Sequence, residues 1–329
     1  MSHSIEASWQ LDEIDMSATI VCPDGSGPFP GVVIVAGSGP TDRDWCSPLL
    51  PGTNGSARLL AEAFADAGIA SLRYDKRASG PHARESAARL IGRLSMQSHL
   101  NELVAAVETL AAQTFIDTSR IVGLGNSEGT LHVLHYATSD QRVPFAAVVL
   151  VAPPGRPVSE VLLSQLAQQA ALIPGGAELM PMVEAAAARY SAGQPMDADP
   201  RLPDSVRMVL ASFEAPANLP LARELWNEDA GASLPRLSVP CLVIIGGRDA
   251  QIDTHADGDP LQAANAGMSN MTFSNPANAN HVLKQDLRSE EDWRAAPGVG
   301  YNEDGTRLDP DAIAAILGWL RDHDISRED

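Results

Sequence analysis

Three runs of uninterrupted apolar residues constrain this 329-residue chain more than any other feature: Gly31 to Ala36, Ala146 to Val151 and Leu242 to Ile245. A strand with one face in water alternates polar and apolar side chains. A run that is apolar at every position is buried on both faces, as in a parallel sheet covered by helices. The intervening sequence supplies those helices. Ala57 to Ala67 has a helical pattern and stops at Gly68, a C-cap glycine; Met96 to Ala112 and Thr130 to Thr138 continue the series. Ser17 to Cys22 and Ile69 to Tyr74 read as further strands. Strand and helix in alternation predict an α/β fold with a mostly parallel central sheet flanked by helices.

The pattern changes from about Pro153 to Pro235. This stretch is rich in alanine, leucine and methionine at helical spacing, is punctuated by prolines and contains no good strand candidate. The expected organisation is a core domain of residues 1–152 and 236–329 with a helical cap insertion at 153–235. An ordinary helical subdomain packed elsewhere is the plainer alternative. The last helix is expected over Asp309 to Arg321, with Asp309 as its N-cap and Pro310 in its first turn.

The charge excludes some partners. With 42 acidic against 23 basic residues, the net charge is -19, which repels nucleic-acid phosphates and anionic headgroups. Neither nucleic acid nor a membrane is expected as a partner, and no apolar run is long enough to span a bilayer. Cys22, Cys46 and Cys241 are odd in number and lack metal-ligand spacing, and Met1 to Gln10 has no signal-peptide pattern. A cytoplasmic location is therefore expected. An apolar face on the insertion leaves room for a homodimer.

Chemistry enters at Gly125-Asn126-Ser127-Glu128-Gly129. This Gly-x-Ser-x-Gly pentapeptide follows the apolar stretch Arg120 to Leu124 and precedes a helical run. A serine hydroxyl is a poor nucleophile until a base removes its proton, so the chain must lift it to where an imidazole can reach. A sharp strand-to-helix turn does so, and it leaves the Glu128 N–H facing a developing oxyanion. After the serine come an acid at a strand end, Asp249, and a histidine near the C-terminus, His281. That chain order suits a serine hydrolase. On the acid's loop Asp253 and Asp257 compete with Asp249, which lies closest to the strand end.

Four segments together carry a family resemblance: Ala36 to Asp44 (AGSGPTDRD), Ser71 to Arg77 (SLRYDKR), the elbow, and Asn280 to Lys284 (NHVLK). Over nearly the whole chain from the Val32 strand onward, the sequence resembles bacterial α/β-hydrolases of the serine carboxylesterase group related to dienelactone hydrolases. The resemblance implies an α/β-hydrolase fold, hydrolysis of short acyl esters, peptidase activity in some members, and no cofactor or metal. Position by position it makes Ser127 the nucleophile, Asp249 the acid and His281 the base. The chain departs from the family at Asn126, where histidine is more usual, at Trp45 and Cys46, where Gly-Asn is usual, and at Ala78, where glycine is common. These positions are expected to border the site, with Asn126, Trp45 and Cys46 touching the substrate, a small-molecule ester.

The oxyanion hole is expected from the backbone N–H of Glu128 and one from the loop after the Val32 strand, Ser38 first and Gly39 second. Other readings are weaker. Gly37-Ser38-Gly39 lacks the spacing of a dinucleotide loop and the lysine of a phosphate loop. Asp42, Arg43 and Asp44 either bind a polar substrate group or brace the loop through a locally paired Arg43, and Asp75 and Arg77 read as loop-bracing charges rather than catalysts. His255 follows the acid too closely to be the base. His132 and His135 fall on the helix after the nucleophile, filling a helix face or reaching solvent, and His82 and His99 show no partner pattern. Leu179, Met180, Met182 and Met208 either line an acyl pocket or simply pack helices.

Overall fold

The computed structural model describes residues 2–296 and 298–326. Among these residues eight strands form one sheet: β1 (His3–Leu11), β2 (Ile14–Cys22), β3 (Phe29–Val35), β4 (Ala70–Tyr74), β5 (Ile116–Asn126), β6 (Ala147–Val151), β7 (Cys241–Ile244) and β8 (Met271–Ser274). Their spatial order is β1-β2-β4-β3-β5-β6-β7-β8. Strand β2 pairs antiparallel with both β1 and β4, and every other pairing is parallel. The apolar runs expected to be buried on both faces are the central strands. All five residues of β6 are buried, as are Val32 to Val35 of β3.

Among the described residues eleven helices accompany the sheet: α1 (Ser56–Asp66), α2 (Ala83–Leu90), α3 (Met96–Ala111), α4 (Glu128–Ala137), α5 (Val158–Ala171), α6 (Met180–Ser191), α7 (Asp204–Ser212), α8 (Leu221–Leu225), α9 (Asp259–Ala264), α10 (Glu290–Ala295) and α11 (Pro310–Asp322). Their ends follow local chemistry. Helix α1 closes as expected at Gly68, whose φ of 73° is cheap only for glycine. There Gly68 N–H donates to the Ala65 carbonyl and Ile69 N–H to the Phe64 carbonyl, the paired bonds of a Schellman turn. At the start of α11, the Asp309 carboxylate accepts from Ala312 N–H at 3.0 Å. No helix among the described residues is long and apolar enough to cross a membrane.

Between β6 and β7 the chain runs through α5 to α8 without forming a strand. This insertion keeps an apolar core of its own, including Leu166, Val183, Tyr190, Leu210 and Trp226. Tyr190, Phe213 and Trp226 meet edge to face there, an arrangement that aromatic quadrupoles favour. Leu179, Met180 and Met182 pack on that core, so helix packing accounts for those three, whereas Met208 is exposed.

Candidate active site

Strand β5 delivers Ser127 to the tip of a turn that it leaves immediately through α4. Ser127 has φ 53° and ψ -123°, a conformation an L-residue adopts only under constraint. The constraint is visible. Ser127 N–H is tied to the Val151 carbonyl of the next strand at 2.8 Å, while its own carbonyl accepts from Thr130 N–H at 2.9 Å. The flanking glycines are steric necessities. A Cβ on Gly125 would lie 2.4 Å from the Gly129 carbonyl oxygen, and one on Gly129 would lie 2.7 Å from the carbonyl oxygens of Val35 and Ala36. Crossing α4 so close to β3 and β5 requires both positions bare.

Asp249 follows β7 and His281 lies in the segment between β8 and α10. The His281 Nδ1 is 3.0 and 2.9 Å from the two carboxylate oxygens of Asp249. That carboxylate has no solvent exposure, and its Oδ1 also accepts from the backbone N–H groups of Gln251 and Ile252 at 2.8 and 2.9 Å. A buried carboxylate with this many donors is held in place. It keeps the proton on Nδ1 and leaves Nε2 as the basic nitrogen. Asn280 shapes the histidine loop by accepting from the N–H groups of Val282 and Lys284. Asn126, next to the serine, donates from Nδ2 to the His281 carbonyl at 2.9 Å.

Ser127 and His281 open into a cavity of about 210 Å³ that Gly37, Ser38, Trp45 and Asn126 also line. Of the residues expected at the site, Ser38 therefore lies on the wall and Gly39 does not. Trp45 and Asn126 are on the wall as expected. Cys46 instead lines a neighbouring groove of about 1000 Å³, because the turn at Trp45, with φ 66°, sends successive side chains apart. Burial first, then Asp42 and Asp44, push the Cys46 thiol up to about 12, so it is no nucleophile.

The charged loop residues brace, as read from the sequence. Arg43 donates from Nε and from its backbone N–H to the Asp75 carboxylate, both at 2.8 Å. Asp44 pairs in return with Arg73 at 2.5 Å. These crossed pairs fasten the loop after β3 to the end of β4. Asp257, one of the two carboxylates that compete with Asp249, is buried and pairs with Arg156 at 3.0 Å. His255 is exposed, as a surface residue should be.

Sequence reasoning missed two parts of the site. Gln251, Tyr301 and Asn302 line the cavity, and the Gln251 amide reaches the Tyr301 hydroxyl at 3.3 Å. No local signal marks them, since chain return alone brings the segment before α11 to the mouth. The second part is a buried polar network beneath the elbow. His99 and His132, expected to be partnerless or on an ordinary helix face, are buried with ring centroids 4.5 Å apart. His132 bonds Glu128 at 3.2 Å, His99 bonds Glu102 at 3.1 Å, and Glu102 pairs with Arg77 at 2.7 Å. Burial, then His99, lowers His132 to about 4, so it is neutral near pH 7. The Asp-Lys-Arg run at residues 75–77 was the available clue.

No residue of the insertion lines the 210 Å³ cavity. The insertion reaches the acid's loop instead, through Gln165 Nε2 to the Gln251 carbonyl at 3.2 Å and through Arg156 to Asp257.

The sequence profile of the alpha/beta hydrolase family matches residues 32–316. Esterase EstD of Thermotoga maritima is 30% identical over 304 residues, 92% of this chain and 64% of that protein, so the chain spans less than two thirds of that relative. Among solved structures, a proline iminopeptidase of Mycobacterium smegmatis superposes with a TM-score of 0.56 at 16% identity, covering 98% of this chain and 99% of that one. A Pyrococcus furiosus esterase gives 0.56 at 14%, covering 97% and 91%. A dienelactone hydrolase from Anabaena variabilis gives 0.50 at 15%, covering 98% and 96%. At these identities the structures speak to the fold.

Proposed function

Because this chain belongs to the alpha/beta hydrolase family, we propose that Ser127, His281 and Asp249 form a working triad that hydrolyses carboxylic esters of small, uncharged substrates. The observation that carries the reading is the bond from His281 Nδ1 to both oxygens of a fully buried Asp249, on a fold whose elbow presents a strained serine. The 30% identity to an esterase supports the choice of ester over other acyl substrates.

His281 Nε2 takes the Ser127 proton as Oγ attacks the ester carbonyl carbon, and the carbonyl π electrons move to oxygen. The oxyanion is met by the backbone N–H groups of Glu128 and Ser38, each donor of this kind contributing about 3 kcal/mol. Collapse expels the alkoxide, which leaves as the alcohol with the proton held on Nε2. Water then attacks the acyl-enzyme by the same route in reverse roles, regenerating Ser127. Asp249 stabilises the imidazolium in both halves. A cavity of about 210 Å³ suits short acyl groups.

In the same proposal the insertion 153–235 is a cap on a core of residues 1–152 and 236–329, governing access through the acid's loop rather than forming the pocket wall. The cytoplasm is the compartment that suits Cys22, Cys46 and Cys241, all unbridged and buried.

The test is hydrolysis of a graded series of p-nitrophenyl esters by wild type and Ser127→Ala, with intact mass after a fluorophosphonate. The proposal expects a covalent adduct on wild type alone, turnover at least a thousandfold lower in the variant, and preference for acetyl to butyryl chains. Undiminished turnover in Ser127→Ala would remove Ser127 as nucleophile.

A further inference from the structure

Lys76 sits two residues beyond β4 with its side chain only 4% exposed. A buried ammonium needs partners, and its partners are specific. Its Nζ donates to the Gly37 carbonyl and lies 3.7 Å from the Glu128 carboxylate. Gly37 C=O and Ser38 N–H belong to a single trans peptide group, in which carbonyl and N–H point in opposite directions. Drawing the carbonyl toward Lys76 turns the N–H away from it, toward the cavity that Gly37 and Ser38 line. The other partner, Glu128, carries the second donor N–H on its own backbone. One cation thus grips both residues on which the oxyanion hole depends.

The ammonium also polarises what it holds. A cation on the carbonyl of a peptide strengthens the N–H of the same peptide as a donor, and low local dielectric magnifies the effect. The network is balanced in charge. Burial alone would raise the Glu128 carboxyl, but Lys76 and His132 outweigh it and hold it well below the usual carboxylate range. Glu102 is similarly held low, against burial, by His99 and Arg77. Two carboxylates therefore meet two permanent cations. His99, Glu128 and His132 offer ligand atoms within 4.8 Å of one another, the spacing of a metal site, yet Lys76 already supplies the positive charge such a site would take.

We infer that Lys76 is the positioning residue of the oxyanion hole, orienting and polarising the Gly37–Ser38 peptide while anchoring Glu128. The inference rests on the ester-hydrolase reading. Its role differs from bracing because it acts on the transition state, so its loss should leave substrate binding intact.

The experiment compares wild type, Lys76→Met and Lys76→Gln, with active sites counted by the p-nitrophenol burst so that misfolded protein drops out of the rate. Per titrated site, Lys76→Met is expected to lower kcat at least tenfold with KM unchanged, since losing a donor outright costs about a hundredfold or more. Affinity for a boronic acid that mimics the tetrahedral adduct should fall in parallel. The infrared carbonyl stretch of the acyl-enzyme should rise as its hydrogen bonds weaken. Lys76→Gln keeps a donor without the charge and should fall between; it carries the comparison alone where the methionine variant does not fold. A reduced site count with unchanged kcat, boronate affinity and carbonyl stretch would show a merely structural lysine and overturn the inference. A wild type that forms no acyl-enzyme would instead sink the ester reading, and this assignment with it.

Discussion

The side-chain amide of Asn126 donates to the backbone carbonyl of His281 at 2.9 Å, joining the residue before Ser127 to the loop that carries His281. Asn126 is 4% exposed and His281 5%, so the bond is largely shielded from bulk solvent. Asn126→Ala should release that loop and lower kcat about tenfold, because small misplacements of a catalytic group are costly. Stability should fall by about 1 kcal/mol, the usual net value of one such bond. Burst-titrated kinetics beside a urea melt would check both, and an unchanged kcat would reduce Asn126 to a wall residue.

Ser127 holds a backbone conformation suited to glycine. Ser127→Ala and Ser127→Gly should be equally inactive, yet the glycine variant should be the more stable by about 1 kcal/mol as the strain is relieved. Guanidinium unfolding of the two proteins measures the difference. Equal stabilities would mean that the elbow stores no strain at this residue.

Trp45 is 3% exposed and walls the cavity. Trp45→Gly should enlarge the acyl site and move the preferred ester from short chains toward longer ones. Loss of the buried indole costs about 3 kcal/mol or more, offset in part because φ at this position is 66°. A chain-length profile that does not move would place the acyl group elsewhere.

Glu102 gives the network a pH signature. Its folded pKa, near 2, lies below its ordinary value of 4.5, because His99 and Arg77 outweigh burial. A depressed carboxylate contributes stability above its unfolded pKa and loses it as pH falls through the folded one. Glu102→Gln should therefore be less stable than wild type by about 3 kcal/mol at neutral pH. That gap should narrow from about pH 4.5 down toward about 2. Denaturant melts at several pH values would decide, and a constant gap would mean that Glu102 does not titrate in this window.

Much of the fold was legible in advance because it rests on local rules. The helix stop at Gly68, the cap at Asp309, the apolar runs of β3, β6 and β7, and the elbow around Ser127 each follow from a few adjacent side chains and their backbone preferences. The edges were harder. Strand β1, which alternates exposed and half-buried residues, and the four-residue β8 are strands only because β2 and β7 offer their hydrogen bonds.

By itself, the sequence determined the central alternation of strand and helix, the α/β class, and Ser127, Asp249 and His281 as candidate residues in turns and loops after strands, since periodicity and turn chemistry are written in neighbouring positions. Tertiary structure decided the rest. It brought Tyr301 and Asn302 to the mouth, put Cys46 on a different groove from Trp45, kept the insertion off the cavity wall, and set Lys76 behind Gly37 and Glu128. Apart from the turn between Trp45 and Cys46, those relations join residues tens to hundreds of positions apart. Their energies come from desolvation and packing in a particular enclosed space, which exists only after the sheet has closed and buried it.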